Sequence, residues 1–413
     1  MHTVRNYILG LFLVVGGMLS AQTEPKPAFD IQLEVDLVYL ASDYLEGRET
    51  GTMGELKAAQ YLAHRFAEIG ATPAGTEAYF QPFDFKYKPN PHAEETIDRK
   101  GMNVVAFLDK GAKTTVVIGA HYDHLGMGNF GSRHTGEPAI HNGADDNASG
   151  VAAMLWLAEA LAKQKKSKNN YLFIGFSGEE LGLYGSKYFV ANPTVDLSTV
   201  NYMLNMDMVG RLQESGVLSV NGTGTSPAWD DVLGATEAAQ STIIVKKGVG
   251  GIGPSDHTSF YLKDIPVLHF FSGQHNDYHK PIDDSEFINF AGIQQISEFI
   301  VAIIRQANGE GKLAFSKTKD ESQGRQAARF KVSLGVMPDY VYNGEGMRID
   351  GVLDGRAAQA AGLENGDVII QIGEVKVKDI YDYMEGLSQY EAGQSTTVVV
   401  RRGSEEKTFE VNF

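Results

Sequence analysis

Five short apolar runs lie between residues 102 and 271, and a segment with helical spacing separates the second run from the third. Continuous apolar runs of this length indicate β-strands that are covered on both faces. Strands of this kind that alternate with helices predict an α/β fold with a mostly parallel, mixed central sheet flanked by helices. The predicted strands are residues 102–108, 115–119, 171–176, 202–207 and 266–271.

Helical spacing is clearest in three segments. Apolar residues recur three and four positions apart within residues 36–69, and Gly70 follows as a helix stop. Residues 148–164 and 298–306 predict two further helices by the same spacing.

The composition excludes several kinds of site. The chain has 413 residues, no cysteine and a formal net charge of -16. Without cysteine there is no disulfide, thiolate zinc site or cysteine nucleophile, so a metal site has to use His, Asp and Glu. The acidic balance disfavours nucleic acid and anionic membranes as partners, because like charges repel.

Residues 1–21 have the pattern of a secretory signal peptide. Arg5 supplies a positive charge, residues 7–19 form an apolar run, and Ser20 and Ala21 are small residues near a cleavage point. The apolar run is too short for a comfortable membrane span. We therefore expect a secreted or periplasmic protein without a stable membrane anchor; the alternative is an uncleaved N-terminal anchor.

The character of the sequence changes after residue 307. Residues 308–328 are charged, contain Gly and Ser, and are nearly free of large apolar residues, which is typical of a linker. Short strand patterns and Gly-containing turns follow from residue 329. We expect one domain at residues 28–307, a linker at 308–328 and a second domain at 329–413.

Five acidic or histidine residues lie at, or shortly after, the carboxyl ends of the predicted strands. Ligands bind outside these strand ends in open α/β sheets, so the five side chains can converge on one crevice. A pair of divalent ions needs a bridging carboxylate, terminal His or carboxylate ligands, and an open position for water. The candidate ligands are His121, Asp145, Glu180, Asp207 and His279.

Two more acidic residues suit supporting roles. Glu179 precedes the candidate ligand Glu180, and neighbouring side chains point in different directions, so Glu179 remains available as a general base. Asp123 follows His121 by two residues and is placed to accept the second ring N–H of that ligand.

Each candidate alone has an ordinary structural interpretation. Asp145 precedes a predicted helix and suits an N-cap, and Glu179 with Glu180 suits a helix start. Asp207 is harder to explain in this way, because a carboxylate that ends an apolar strand is partly buried without a partner. The whole set in this order favours a metal site.

Five segments appear in a characteristic order: GAHYDHLG, NGADDNASG, FSGEELGLYGS, NMDMVG and DYHKPIDD. Over residues 36–305 the chain resembles the co-catalytic zinc aminopeptidase family, metallopeptidase family 28. The resemblance implies a zinc-peptidase fold, two zinc ions per chain and hydrolysis of the first peptide bond of a peptide whose free amine binds zinc. It implies that His121 and Asp207 hold one zinc ion, that Glu180 and His279 hold the other, and that Asp145 bridges them.

The same resemblance implies further roles. The Asp145–Asp146 peptide bond would be cis, Glu179 would be the general base, and Asp123 would support His121. Within GPSDHTSFY, Asp256 and His257 would line the substrate pocket; a structural role is the alternative. The remaining candidates match no ligand position and are expected to be surface, core or supporting residues: His124, His134, His141, His269 and His275.

Residues 329–413 resemble a bacterial PDZ domain. FKVSLGVMPDY resembles its carboxylate-binding loop and first strand, and residues 380–387 resemble its groove helix. The resemblance implies that the C-terminus of a peptide adds as a strand, with its carboxylate on the backbone N–H groups of Leu334, Gly335 and Val336. A stabilising domain that binds no peptide is the alternative.

We therefore expect an exported zinc aminopeptidase with a PDZ-like docking module that acts on peptide substrates. Two alternatives use the same scaffold: a glutaminyl cyclase, which holds one zinc ion in this family, and a carboxypeptidase, which needs clustered arginines. Only scattered arginines, such as Arg133 and Arg211, lie near the motifs. A third alternative is a peptide-binding protein with a vestigial hydrolase.

Overall fold

The computed structural model describes residues 29–87, 96–165, 167–240, 242–318, 332–338, 342, 344–352, 355–378 and 380–413. The predicted signal peptide, residues 1–21, lies outside the described residues. Within the described part of the chain, no helix is both long and apolar enough to cross a membrane.

The first domain alternates helices and strands, as the apolar runs predict. Its helices are α1 (Ile31–Leu40), α2 (Met53–Ile69), α3 (Gly150–Ala162), α4 (Tyr184–Ala191), α5 (Ala228–Ala239), α6 (His257–Tyr261) and α7 (Phe290–Ala307). Its strands are β1 (Thr72–Pro73), β2 (Phe80–Tyr87), β3 (Ile97–Leu108), β4 (Thr114–His121), β5 (Asn169–Phe176), β6 (Val200–Met206), β7 (Val217–Asn221), β8 (Ile244–Gly248) and β9 (Val267–Phe271).

These strands form one mixed sheet in the order β1-β3-β5-β4-β6-β9-β7-β8, with β2 paired to β3. The central strands β5, β4, β6 and β9 are parallel. On either side, β3 pairs antiparallel with β5, and β7 pairs antiparallel with β9. The predicted mixed α/β sheet is confirmed, and its four parallel strands end at one edge of the sheet.

The segment predicted as helical at residues 36–69 contains two helices separated by an irregular turn. Glu46, Gly47 and Arg48 have positive φ angles in this turn. A Cβ atom on Gly47 would lie 2.6 Å from the carbonyl oxygens of Gly126 and His141, so only glycine permits this close approach. Gly70 ends α2 with a φ of 87°, as the sequence predicts.

The Arg48 side chain, 1% exposed, connects this turn to two parts of the β4–α3 connection at the carboxyl edge of the sheet. Its guanidinium donates to the carbonyl oxygens of Tyr122 at 2.8 Å, Asn142 at 2.6 Å and Gly143 at 3.0 Å. It also donates to the carbonyl of Leu40. Burial lowers the pKa of Arg48 to about 10, and nearby carboxylates oppose this effect. Arg48 therefore holds together the beginning and the later part of the connection between β4 and α3.

Residues 308–318 differ from the predicted linker, because they pack on the first domain. Leu313 is 5% exposed and lies in the main core, and Phe315 packs against Tyr261. The Tyr261 hydroxyl is 2.9 Å from the Thr318 hydroxyl. The two apolar side chains account for the difference, since their burial stabilises the packed conformation.

The second domain is a small sheet with two helices. Its elements are β10 (Val336–Pro338), β11 (Met347–Val352), α8 (Ala357–Ala361), β12 (Val368–Ile372), β13 (Val375–Lys376), α9 (Ile380–Ser388), β14 (Ser395–Arg402) and β15 (Glu405–Asn412). The strand order is β10-β11-β12-β14-β15, with β13 paired to β12. Among the described strands, β10 therefore has one unpaired edge. The predicted β-rich second domain is confirmed.

Candidate metal centre

Four of the predicted ligands lie together at the carboxyl edge of the sheet. His121 is the last residue of β4, Glu180 lies in the loop after β5, and Asp207 directly follows β6. His279 lies in the loop after β9. His121 Nε2 is 3.4 Å from Asp207 Oδ1, and His279 Nε2 is 3.2 Å from Glu180 Oε2. These residues therefore form two pairs, each with one imidazole and one carboxylate.

Asp146 lies between the two pairs. Its Oδ1 atom is 3.4 Å from His121 Nε2, and its Oδ2 atom is 3.1 Å from His279 Nε2. Each carboxylate oxygen thus faces a different imidazole. This arrangement suits a carboxylate that bridges two metal ions.

The structure does not place Asp145 in the cluster, and Asp146 occupies the position between the two pairs that was predicted for Asp145. Asp145 Oδ1 accepts hydrogen bonds from the Gly210 N–H at 2.6 Å and the Ser149 hydroxyl at 3.0 Å. Its Oδ2 lies 3.2 Å from His275 Nε2. Adjacent side chains point in different directions, and the sequence alone does not tell which of the two acids faces the cluster.

The cis peptide bond is also one residue from its predicted place. It joins Asp146 to Asn147, not Asp145 to Asp146. The loop is held by the buried Asp283, whose Oδ2 accepts from the backbone N–H groups of Asp145 at 3.0 Å and Asp146 at 3.1 Å.

Both imidazoles in the pairs present Nε2 to the cluster. His121 Nδ1 lies 3.2 Å from the Asp123 carbonyl oxygen, and His279 Nδ1 lies 2.8 Å from the Gly131 carbonyl oxygen. A carbonyl can only accept, so Nδ1 is the donor in each ring, and Nε2 is the nitrogen that faces the cluster and can bind a metal ion. Metal-bound histidines are commonly oriented in this way.

Asp123 has a different contact from the predicted one. Its carboxylate accepts from the Glu179 N–H at 3.1 Å and the Thr50 hydroxyl at 2.9 Å, and it is 3.8 Å from His121 Nδ1. The His121 ring faces the Asp123 backbone carbonyl instead. The Asp123 side chain therefore holds the loop that contains Glu179.

Glu179 lines the cavity beside the cluster. Burial raises the pKa of Glu179 well above its usual range; His121 opposes this rise, and Glu180 and Asp207 add to it. A carboxylate with a raised pKa is a better proton acceptor than an ordinary one. Burial and Asp146 act to raise the pKa of Glu180, but His279 and His124 lower it to about 2. Glu179 therefore binds a proton more tightly than an ordinary glutamate does, and Glu180 binds one less tightly.

His124 is a member of the cluster that the sequence interpretation missed. Its Nδ1 atom is 2.7 Å from Glu180 Oε1 and 3.9 Å from Asp146 Oδ2. Its Nε2 atom is buried and has no hydrogen-bond partner among the described residues. The sequence HYDH could have indicated that His124 lies near the cluster, because it follows the candidate ligand His121 by three residues.

The cavity at the cluster has a volume of about 380 Å³. Asp256 and His257, predicted to line the substrate pocket, are fully buried, and neither belongs to the described lining of this cavity. The His257 ring stacks on His269, with ring centroids 4.5 Å apart. His269 and Pro254 line the cavity in their place.

The donor set fits zinc. His121, Asp146 and Asp207 have ligand atoms within 4.8 Å of one another, and so do His124, Asp146 and Glu180. Imidazole nitrogens and carboxylate oxygens are common zinc ligands in catalytic sites. Several buried carboxylates close together are costly unless cations compensate their charge.

Comparison with known proteins agrees with this geometry. Residues 103–304 match the model of Peptidase family M28, and residues 324–413 match that of the PDZ domain. The first domain is a member of peptidase family M28. The second is a PDZ domain, as the sequence predicts.

Aminopeptidase YwaD of Bacillus subtilis is 30% identical to this chain over 206 residues, which is 46% of this chain and 41% of YwaD. Three other curated relatives are likewise matched over only 37 to 45% of their length. The crystal structure of a zinc aminopeptidase from Bacillus subtilis has a TM-score of 0.56 at 17% identity, and the match covers 69% of this chain and 95% of that one.

Porphyromonas gingivalis glutaminyl cyclase has a TM-score of 0.55 at 19% identity, with 68% of this chain and 99% of that chain covered. At such identities the two solved structures show a shared fold. Aminopeptidases and a cyclase both have this fold, so the fold alone does not decide the reaction.

We predict that Asp146→Asn loses bound metal and that Asp145→Asn retains it. The first change removes a carboxylate that faces both imidazoles, whereas the second keeps an oxygen acceptor for Gly210 and Ser149. Metal content after dialysis measures the difference. Equal metal content in the two variants would contradict the assignment of Asp146 as the bridge.

Proposed function

We propose that the M28 domain is a zinc-dependent aminopeptidase that removes N-terminal residues from peptides. The observation that supports this most strongly is the position of Asp146, with one oxygen toward His121 and the other toward His279. Family membership and the aminopeptidase relative agree with it. The curated relatives are matched over only part of their length, so the activity is our proposal.

We further propose two zinc ions per chain. His121 and Asp207 would hold one, His279 and Glu180 the other, and Asp146 would contact both. Zinc in such a site supplies Lewis acidity, which lowers the pKa of water and polarises a carbonyl oxygen. His124 would orient Glu180 through the contact of 2.7 Å between Nδ1 and Oε1.

Glu179 would act as the general base and acid of the reaction. Its carboxylate takes a proton from the attacking water and returns it to the leaving amine. Burial favours the proton-bound form of Glu179, and the Asp123 carboxylate fixes the backbone at this residue. In this role Glu179 needs no direct bond to the metal.

We propose that the protein is exported, on the basis of the signal-like residues 1–21. We also propose that the PDZ domain binds peptide, on the basis of the unpaired edge of β10. Three backbone N–H groups of the loop before β10 are expected to bind the C-terminal carboxylate of that peptide. One of them, the Gly335 N–H, donates a hydrogen bond to the Ser333 hydroxyl at 3.0 Å.

Glutaminyl cyclisation is a second candidate, favoured by the fold shared with the Porphyromonas gingivalis enzyme. A peptide with N-terminal glutamine separates the two reactions, since cyclisation releases ammonia and leaves the chain length unchanged. A carboxypeptidase, which needs clustered arginines, is less favoured. Among the described lining residues of the cavity there is one arginine, Arg133, while Arg211 lies 3.1 Å from Asp277 and 3.5 Å from Asp283.

We predict different defects for the two adjacent glutamates. Glu179→Gln should keep its metal and lower kcat by about 10²- to 10⁴-fold, the range expected when a general base is lost. Glu180→Gln should lose metal, because it removes the charged carboxylate that is paired with His279 at the proposed zinc site and oriented by His124. Metal analysis and steady-state kinetics measure both effects, and the reverse pattern would exchange the two roles.

We predict that acetylation of the substrate's α-amine abolishes hydrolysis. The acetyl group removes the charge and N–H donors of the amine and adds bulk where the cavity is lined by Asp146, Glu179, Glu180 and Asp207. Amidation of the C-terminus should have little effect. Rates for a matched set of free and blocked leucyl peptides test this, and a requirement for the free carboxylate would indicate a carboxypeptidase.

A further inference from the structure

The PDZ domain contributes residues to the cavity of the M28 domain. Val336 and Pro338 of β10 line the same cavity as His121, Glu179 and Asp207. Alternate residues of a strand point to the same side, so these two positions share one side of β10. A strand of the second domain therefore forms part of the wall around the candidate metal centre.

Two polar contacts hold the domains together near this wall. Lys246 of β8 donates a hydrogen bond to the carbonyl oxygen of Tyr342, four residues after Pro338. Asn365 donates to the Asn276 side chain at 3.4 Å, three residues before His279. The first contact lies close in sequence to β10, and the second lies close to the proposed zinc ligand His279. They therefore favour a defined position of the PDZ domain at the cavity.

The cavity lining has an acidic part and an apolar part. The acidic part is the cluster. The apolar part consists of Val336 and Pro338 of β10 and of three residues of the M28 domain: Met208, Pro254 and Phe271. A substrate of an aminopeptidase has one residue before the scissile bond. All of its remaining residues have to leave the cluster through the rest of the cavity.

We propose that β10 of the PDZ domain is part of the substrate cleft, and that Val336 and Pro338 contact the residue that follows the scissile bond. This proposal rests on the proposed aminopeptidase function. The unpaired edge of β10 gives an extended substrate a strand to pair with. Proline is typical of edge strands, because it lacks an N–H group for a further ladder bond. The PDZ domain is then a determinant of substrate selectivity.

A charge placed at residue 338 of the full-length protein tests this. The variants are Pro338→Glu and Pro338→Lys, with Pro338→Gln as the neutral reference at the same position. The matched controls are Thr408→Glu and Thr408→Lys, because the exposed Thr408 lies on β15, at the opposite end of the PDZ sheet. The substrates are tripeptides Leu-Xaa-Gly in which Xaa is Lys, Gln or Glu.

Relative to Pro338→Gln, we expect Pro338→Glu to raise the kcat/KM ratio of the Lys to the Glu tripeptide about fivefold at low salt. Pro338→Lys should lower this ratio by a similar factor, and high salt should weaken both effects. The Thr408 variants should leave the ratio unchanged. Unchanged metal content and circular dichroism in every variant establish that the folded site is retained.

Two results would overturn the proposal. Ratios for the Pro338 variants that equal those for the Thr408 variants would place β10 outside the cleft. A charge effect that depends on the first substrate residue, measured with Lys-Gly-Gly and Glu-Gly-Gly, would contradict the contact after the scissile bond. A wild-type protein that hydrolyses none of these tripeptides would instead contradict the proposed aminopeptidase function.

Discussion

The repulsion among the closely spaced carboxylates of Asp146, Glu179, Glu180 and Asp207, which are buried or partly buried, is the constraint on which the site depends. Charged groups removed from water are costly, and several of one sign in one place are costlier still. Imidazoles compensate part of this charge, as the low pKa of Glu180 near His279 shows. In our proposal divalent cations would compensate the rest, and the orientation of each imidazole leaves Nε2 facing them.

A cluster under this repulsion needs a rigid frame, and the fold supplies one at the carboxyl edge of its parallel strands. Arg48 joins the beginning of the β4–α3 connection to its later part through backbone carbonyls. Asp283 fixes the backbone of Asp145 and Asp146, and Asp123 fixes that of Glu179. These contacts go to backbone groups, so they set loop positions and leave the side chains of the cluster free for ligands and substrate.

The apolar runs predicted the sheet, because each is long enough to identify a buried strand. The acidic and histidine residues after those runs predicted four members of the cluster: His121, Glu180, Asp207 and His279. The sequence did not distinguish Asp145 from Asp146, because adjacent acids differ only in the direction of their side chains. His124 was missed since its contact with Glu180 joins loops 56 residues apart. Residues 308–318 were assigned to a linker because Leu313 and Phe315 are isolated among polar residues. The position of β10 at the cavity depends on contacts between domains, which no local pattern encodes.

We propose that this charge arrangement holds two zinc ions. The most direct measurement is the zinc content of the purified full-length protein, determined by mass spectrometry after dialysis against metal-free buffer with zinc added back in steps. The account predicts saturation near two equivalents, with activity against a leucyl peptide rising as both sites fill. Saturation near one equivalent with full activity would contradict it.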